Sequence, residues 1–342
     1  DSGSVAYLRG ETAQGMFCNF KQVQETQRLK LPFGIAQVGK TFRNEISPRD
    51  FMFRSREFTI AEFEFFIHPK EFNCNLLTKK HIDLNFKFLS AEVQDDKKNE
   101  LVNMTINKLL DSKKLDEWHA YWLAEQYLWL VDIGLSESKL KIREHTKNEL
   151  SHYSTGTFDI DYSYPFGSKE IAGNANRGQY DLNQHIQKSK EKLTYFDEEG
   201  KEHVVPRVIE PTFGMDRVFL AILCDAMNSR KDEKDNEVIV LKLNPNVAPI
   251  QVTVLPLVNK LNEKARVVFD LIKNDFVCNY DKGGSIGRRY ARADELGCPY
   301  CVTVDFDTIE KDDSVTIRNR DTMDQHRVKI NDLKLELIKL LN

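Results

Sequence analysis

Two runs of alternating apolar and polar residues, joined by a basic connection, constrain the fold of this chain most strongly. Residues 35–43 and 57–67 each alternate with a period of two, which is typical of strands that bury one face. Arg49 and Arg54 lie between the two runs, and Arg56 immediately precedes the second. The pattern predicts a long antiparallel hairpin with an unusual density of positive charge at its connection.

The other segments differ in composition and predict several domains in this chain of 342 residues. Residues 71–150 contain no Pro and one Gly, and we expect a mostly helical insertion there. Strand and helix signals return over 151–230. The charged residues 231–237 predict a linker, because they can bury little apolar surface. Strands then alternate with helices over 238–342, which predicts a separate α/β domain.

Composition excludes some classes of protein. A net charge of −4, from 49 basic and 53 acidic residues, excludes a globally cationic nucleic-acid binder but not a local basic surface. No apolar run reaches about 18 residues, so we expect no membrane span. Among six cysteines only Cys298 and Cys301 are closely spaced, and no second pair completes a four-ligand zinc set. We therefore expect two buried, reduced thiols and no zinc.

The hairpin carries the first candidate site. Arg43, Asn44 and Glu45 end its first strand, and the segment Phe53–Phe58 leads into the second. Guanidinium groups pair with phosphate oxygens through two hydrogen bonds, and an aromatic ring beside them can stack on a base. The alternative is a solvated turn with surface ion pairs. The occurrence of both motifs in one hairpin favours a polyphosphate site.

A second candidate site lies between Glu210 and Arg217, where a carboxylate ends a strand and an arginine starts a helix. The helix dipole favours anions at that end, so the arginine gains nothing from it. A bound anion would satisfy both the arginine and the free backbone N–H groups. The alternative is a local ion pair that involves Asp216.

Together these segments resemble the second and third signature motifs of class II aminoacyl-tRNA synthetases. Longer matches are similar to glycyl-tRNA synthetases of the dimeric archaeal and eukaryotic type, and they cover nearly the whole chain. These matches are Leu8–Gln14, Phe42–Arg49, Arg56–Phe58, Ala61–Glu62, Arg177–Leu182, Val208–Pro211, Gly284–Arg292 and Val304–Thr308.

The resemblance implies an α+β catalytic core on an antiparallel sheet, formed by residues 1–70 and 151–230 around the helical insertion, and a C-terminal α/β anticodon-binding domain. It implies that glycine and ATP, with Mg²⁺, form glycyl-adenylate and pyrophosphate, and that glycine is then transferred to the 3′ end of tRNA(Gly). Side synthesis of diadenosine polyphosphate, a cytoplasmic location and a homodimeric full-length protein are further expectations. The first signature motif, which builds the dimer interface in this family, is expected before Asp1.

For ATP, the resemblance implies that Arg43 holds the α-phosphate, Phe58 stacks on adenine and Arg217 meets the far phosphates. Arg43 and Arg217 are therefore the expected catalytic residues. Glu170 is the expected Mg²⁺ ligand, since this ion is usually held by one or two carboxylates and by phosphates. The expected ATP-binding set is Arg43, Asn44, Glu45, Phe53, Arg54, Ser55, Phe58, Glu170, Ile171, Gly214 and Arg217.

For glycine, the resemblance implies that three acidic residues surround the amino group while Arg177 faces the carboxylate. An extra methyl group is normally worth only about 1–3 kcal/mol, so we expect charged, desolvated walls to exclude larger amino acids. The expected glycine-binding set is Glu11, Glu62, Arg177, Glu210, Pro211 and Thr212.

In the C-terminal domain the resemblance assigns three arginines, Arg288, Arg289 and Arg292, to the tRNA anticodon. They follow Ser285, a candidate helix cap. A cationic helix face with Tyr290 nearby suits an RNA loop, whose bases are splayed for stacking. A solvated helix face is the alternative.

Four positions depart from the family pattern, and none removes an expected ligand: Gly10, Phe51, Asn176 and Gln179. Two rival functions stay open. One is a non-catalytic, synthetase-like accessory subunit that binds nucleic acid. The other is a class II synthetase for another small amino acid.

Overall fold

The computed structural model describes residues 5–151, 154–231 and 235–341. The chain forms two compact units, Asp1–Ala221 and Ile222–Asn342. No helix in the described ranges combines the length and the apolar character that a membrane crossing requires. The helices are Ala13–Thr26 (α1), Lys79–Ile82 (α2), Ala91–Asp95 (α3), Ile106–Asp111 (α4), Glu117–Asp132 (α5), Tyr180–Ser189 (α6), Met215–Ala226 (α7), Asn262–Ile272 (α8), Ile286–Glu295 (α9) and Leu333–Leu341 (α10). The strands are Phe33–Phe42 (β1), Glu57–Ile67 (β2), Asn85–Leu89 (β3), Val102–Thr105 (β4), Leu140–Glu144 (β5), Gly156–Tyr164 (β6), Gly167–Gly178 (β7), Tyr195–Asp197 (β8), Glu202–Val204 (β9), Arg207–Gly214 (β10), Met227–Lys231 (β11), Glu237–Leu241 (β12), Val252–Pro256 (β13), Cys278–Tyr280 (β14), Tyr300–Val304 (β15), Ser314–Asn319 (β16) and Gln325–Lys329 (β17).

The first unit is built on an eight-stranded sheet that contains the expected hairpin. β1 and β2 pair in antiparallel register from Phe33 opposite Phe66 to Phe42 opposite Glu57. The strand order is β1-β2-β10-β7-β6-β5-β3-β4, and β3 and β5 form a parallel pair within an otherwise antiparallel sheet. This places β2 and β10, which carry the predicted site motifs, side by side near the centre of the fold.

The segment 71–150 is less helical than the sequence predicts. It contains α2 to α5, but β3, β4 and β5 also belong to it and extend the main sheet. Phe86 and Phe88 of β3 are buried at alternate positions. Strands of four or five residues offer only two or three buried positions each, which are too few to distinguish their period from that of a helix.

The two faces of the main sheet bury different clusters, because neighbouring side chains of a strand point to opposite faces. On one face, α1 and α6 cover Phe66, whose ring lies 4.6 Å from that of Phe20. On the other face, α5 packs Trp118 against Phe65, with ring centroids 5.2 Å apart. The face that α1 covers continues into the candidate active site.

The second unit has its own sheet and core. Its strand order is β14-β13-β15-β16-β17, with β13 parallel to β14 and β15 and the remaining pairs antiparallel. Val252, Val254 and Val302 from the strands are fully buried against Ala265 and Val268 of α8. The sequence predicts most of these elements but not β17, since that edge strand is polar and largely exposed.

The two ends of the linker expected at 231–237 belong to paired strands. Lys231 ends β11 and Glu237 begins β12, and the two strands pair antiparallel within the second unit. Residues 232–234 lie outside the described residues. The boundary between the units falls inside α7, because a continuous helix can leave one core and enter the next without any composition shift.

Phe66→Ala should destabilise the first unit by about 3–5 kcal/mol, since the buried ring packs against three other phenylalanines. All three tryptophans belong to the first unit, so urea unfolding followed by tryptophan fluorescence measures this change. Val38→Ala on the neighbouring β1 is the control, because Val38 is 67% exposed and should change stability by less than about 0.5 kcal/mol. Equal effects of the two variants would contradict this account of the core.

Candidate active site

A cavity opens where the β1–β2 connection, β7, β10 and the start of α7 meet. Most of the residues expected from the sequence line it. Four of the expected residues are not among the described residues that line the cavity: Asn44, Ile171, Arg177 and Pro211. The predicted residues that line the cavity are Glu11, Arg43, Glu45, Phe53, Arg54, Ser55, Phe58, Glu62, Glu170, Glu210, Thr212, Gly214 and Arg217.

Several lining residues were not predicted. Gly173 and Ala175 of β7 form part of the wall, as does His145, whose Nε2 lies 2.7 Å from Asp159 Oδ2. No motif in the sequence marks these positions, because they reach the cavity only through the pairing of β5, β6 and β7. The additional lining residues are Met52, Thr59, Ile60, His145, Ser151, Thr157, Gly173, Asn174, Ala175 and Asp216.

The side chains along one face of β2 change from apolar to acidic and then line the open cavity. Phe66 lies opposite Val208 in the hydrophobic core, and Glu62 lies opposite Thr212 of β10. The same register places Glu64, between them on the strand, beside Glu210. Glu62, Glu64 and Glu210 are buried and, with Asp181 and Arg177, form what we call the acidic cluster. The strand β2 therefore runs from the hydrophobic core through the acidic cluster to the cavity.

The basic connection of the hairpin forms one side of the cavity. The Arg43 guanidinium lies over the ring of Phe58, 5.2 Å from its centroid, and the Arg54 Nε donates to Glu45 Oε2 at 2.7 Å. Asp50 and Phe51 both have positive φ, of 59° and 55°. A left-handed backbone is unfavourable for residues with a side chain, so this tight connection is strained.

The start of α7 forms the opposite side. The Arg217 guanidinium lies 4.4 Å from the Phe53 ring centroid, and its Nη1 donates to the carbonyl oxygen of Glu170 at 3.0 Å. Asp216 accepts a 2.7 Å hydrogen bond from the Thr59 N–H. Asp216 therefore connects α7 to β2, and Arg217 reaches the cavity.

The sequence predicts that Arg177 faces the carboxylate of glycine. In the structure, however, Arg177 is not among the described residues that line the cavity. Its Nη1 donates to both carboxylate oxygens of Glu210 at 2.8 Å, and its Nε and Nη2 donate to Asp181 at 2.8 and 2.9 Å. The residue is only 2% exposed and lies over the ring of Phe17. The physical cause is a β-bulge, because the register of β7 and β10 shifts here and redirects the side chain into the cluster.

Glu62 is held by the start of α1. Its Oε2 accepts hydrogen bonds from the backbone N–H groups of Thr12, at 2.5 Å, and Ala13, at 3.1 Å, and from the Thr12 hydroxyl. A carboxylate at a helix N-terminus is stabilised by the free N–H groups and by the helix dipole. These hydrogen bonds fix the buried Glu62 carboxyl group at the start of α1.

The other two buried glutamates of the cluster, Glu210 and Glu64, have raised pKa values. Burial raises the pKa of Glu210 to about 7 in spite of its bonds to Arg177. Burial also raises the pKa of Glu64 well above its usual range, and the nearby Glu210 adds to this effect. Neither carboxylate oxygen of Glu64 has a hydrogen-bond partner among the described residues. The cluster therefore holds more carboxyl groups than its one guanidinium can neutralise.

Comparison with known proteins gives the chain's relatives. A family model of the anticodon binding domain matches residues 251–340. The chain is 45% identical over 333 residues to the glycine–tRNA ligase of Ruminiclostridium cellulolyticum, covering 97% of the chain and 63% of that relative. It is 46% identical over 330 residues to the glycine–tRNA ligase of Caldanaerobacter subterraneus subsp. tengcongensis, covering 96% and 62%. The chain is therefore similar in sequence to these glycine–tRNA ligases over nearly its whole length.

The chain spans about 63% of the length of the curated relatives it matches. These relatives are named glycine–tRNA ligases, the family that the sequence motifs resemble. The similarity extends over both compact units, including the segment 71–150.

In the part that matches the anticodon binding domain, the three predicted arginines have different environments. Arg288 is exposed, and Arg292 binds Asp281 with its Nε at 2.9 Å. Arg289 is only 3% exposed, and its guanidinium donates to the carbonyl oxygens of Pro256 and Gly284. Neighbouring helix positions point in different directions, so Arg289 cannot share the surface with Arg288 and Arg292 and is not presented to RNA.

Two smaller sequence predictions in this unit can also be compared with the structure. Cys298 and Cys301 are buried free thiols, as expected. Ser285 is the N-cap residue of α9, but its side chain makes no capping hydrogen bond.

Glu64→Gln should make the first unit more stable relative to the wild type as the pH rises. The wild-type glutamate is protonated in the folded state but ionises above its usual value of 4.5 when unfolded, so folding takes up a proton and stability falls with pH. The amide lacks this linkage. The difference in the free energy of unfolding should grow by up to about 1.4 kcal/mol per pH unit above that value.

Urea unfolding followed by tryptophan fluorescence between pH 5 and pH 8 measures this difference. Glu57→Gln, an exposed substitution on the same strand, should show no such trend. A constant difference between the Glu64 variant and the wild type at every pH would mean that Glu64 is ionised in the folded protein.

Proposed function

We propose that this chain carries the amino-acid activation site and a tRNA-binding surface of a glycine–tRNA ligase. The observation that supports this most directly is the continuity of two chemically different sites on one face of the main sheet. A desolvated acidic cluster suited to an amino group adjoins a cavity lined by Arg43, Phe58 and Arg217, which suits ATP. The identity to glycine–tRNA ligases agrees with this assignment.

In the proposed first step, a carboxylate oxygen of glycine attacks the α-phosphorus of ATP. A new P–O bond forms, the bond to the bridging oxygen breaks, and glycyl-adenylate and pyrophosphate result. The reaction needs no protein nucleophile, so positioning and charge stabilisation provide the catalysis. Arg43 and Arg217 stabilise the phosphate charge, and Phe58 offers a ring for the adenine. Asn44, Glu45, Phe53, Arg54, Ser55, Ile171 and Gly214 complete the nucleotide site.

Glu170 is suited to hold Mg²⁺ on the ATP phosphates, since its half-exposed carboxylate lines the cavity beside Arg217. When bound, the ion supplies charge neutralisation at the phosphates. No group of three or more His, Cys, Asp or Glu in the described ranges could hold a metal ion. One carboxylate together with substrate phosphates is a common arrangement for Mg²⁺.

The acidic cluster recognises the amino group of glycine through Glu11, Glu62 and Glu210, with Pro211 and Thr212 completing the wall. Each carboxylate has a fixed partner: Gln14 binds Glu11, the start of α1 binds Glu62, and Arg177 binds Glu210. Arg177 therefore acts as a positioning residue. A methyl group on the substrate would have to displace one of these fixed, charged side chains.

In the second step, a ribose hydroxyl at the 3′ end of tRNA(Gly) attacks the carbonyl carbon of glycyl-adenylate, and AMP leaves. Attack of a terminal phosphate oxygen of ATP on the phosphorus of the adenylate would instead break its bond to the glycine carboxylate, releasing glycine and giving diadenosine polyphosphate as a side product. We place the full-length protein in the cytoplasm as a homodimer.

Exchange of pyrophosphate into ATP, without tRNA, should occur with glycine and not with alanine or serine. Arg43→Ala should lower the glycine-dependent rate by about 10²–10³-fold, because a donor to the developing phosphate charge is lost. Arg49→Ala is the matched control, since Arg49 lies in the same connection, is exposed and is not part of the cavity lining.

The rival functions predict other outcomes of this experiment. Comparable exchange with alanine or serine would favour a synthetase for another small amino acid. A third outcome would favour the non-catalytic accessory subunit. In that outcome, a chain extended to the length of the relatives still binds nucleic acid but exchanges pyrophosphate with no amino acid.

Substitutions of neighbouring arginines in α9 should separate RNA binding from stability. Arg288→Ala should weaken tRNA binding and reduce the slope of log affinity against log salt by about 0.7–1, since one phosphate contact is lost. Arg289→Ala should instead lower stability by about 1–3 kcal/mol, because the buried carbonyl group of Pro256 loses its donor. Filter binding at several salt concentrations, together with thermal unfolding, measures both. The reverse assignment of effects would contradict the described geometry.

A further inference from the structure

Glu64 is a buried carboxyl group to which the proposed reaction assigns no role. It has no exposed surface, and neither of its oxygens has a hydrogen-bond partner among the described residues. It lies on the same face of β2 as Glu62, and the register of β2 and β10 places it beside Glu210. It therefore adjoins the amino-group site from the side of the protein core.

The surroundings of Glu64 contain an excess of acid. Glu62 is on the same strand, Glu210 faces it from β10, Asp181 from α6 and Arg177 from β7. On the remaining side, β1 places Ile35 opposite Glu64. Among the described residues, three other carboxyl groups therefore act on Glu64, and the cation that acts on it is Arg177.

That cation is already committed to other residues. The Arg177 guanidinium donates to both Glu210 oxygens and both Asp181 oxygens. A buried carboxylate without a hydrogen bond or counterion is very unfavourable, whereas a neutral carboxylic acid is tolerated. Glu64 therefore carries a proton while the amino-group site is empty.

We propose that Glu64 is a positioning residue for the substrate amino group, holding one proton of the acidic cluster in the empty site and losing it when a primary ammonium group binds beside Glu210. This inference rests on the proposed function, because it requires glycine to bind there. The Glu64 O–H bond breaks, and the proton leaves through the cavity to solvent. One positive charge enters and one leaves, so the net charge of the cluster is unchanged.

The exchange explains how one cluster can be stable with and without its substrate. With the proton present, the excess acid does not destabilise the empty site. With the ammonium group present, the ionised Glu64 strengthens the field that holds it. A ligand without an amino group, such as glycolate, brings no cation and should release no proton.

The test is isothermal titration of the whole chain with glycine at pH 8, in two buffers of different ionisation enthalpy. Glu210 is already mostly ionised at that pH, since its pKa is about 7, so the proton count isolates Glu64. The wild type should release about one proton per glycine, and Glu64→Gln should release close to none. Glu57→Gln on the same strand should match the wild type.

Infrared spectroscopy of the wild type provides a second measurement that needs no variant. The carbonyl stretching band of a protonated carboxylic acid should weaken when glycine binds and should persist with glycolate. Equal proton release from the wild type and Glu64→Gln, or a band that glycine leaves unchanged, would overturn the inference while the proposed function stands. Absence of any glycine binding would overturn the proposed function and this inference together.

Discussion

The first unit depends on the interaction of one buried cation, Arg177, with two carboxylates. Its guanidinium joins β7 to β10 through Glu210 and to α6 through Asp181. Removing either partner of a buried pair leaves an uncompensated charge that costs about 3–5 kcal/mol, so these elements cannot shift independently. The bulge in β7 makes the interaction possible, and Gly178 directly after it has a φ of +56°, which glycine adopts without strain.

The position of this interaction explains the arrangement of the sheet face around it. Toward one end of β2, Phe66 belongs to an aromatic core that excludes water. Toward the other end, Ile60 and Phe58 line an open cavity with arginines on two sides. The acidic cluster lies at the transition, where electrostatic interactions are stronger than in water but a small ligand can still enter.

Local patterns predicted the parts of the structure that depend on local sequence. The hairpin of β1 and β2, the helix that starts near Arg217 and the arginines of the cavity all follow from periodicity or from short motifs. The strands inside 71–150 and the polar β17 were not predictable, because their apolar signals are short or missing. The direction of Arg177 depends on a bulge between strands that are distant in sequence, and the burial of Arg289 depends on β13. These features arise from tertiary contacts that no motif records.

Stability alone does not account for the acidic cluster. Replacing buried ionic groups by apolar residues of similar volume is often neutral or stabilising, and Phe66 shows that this sheet face can form an apolar core. The cluster instead has more acids than Arg177 can neutralise, and neither oxygen of Glu64 has a hydrogen-bond partner in the part of the chain that the structure describes. If folding stability were the only constraint, replacing Glu64 by an apolar residue would make the chain more stable. A site that binds a small cation, in contrast, binds it more tightly with Glu64 present. The cost is therefore best understood as preorganisation for a positively charged ligand, such as the amino group that the proposed function assigns to this site.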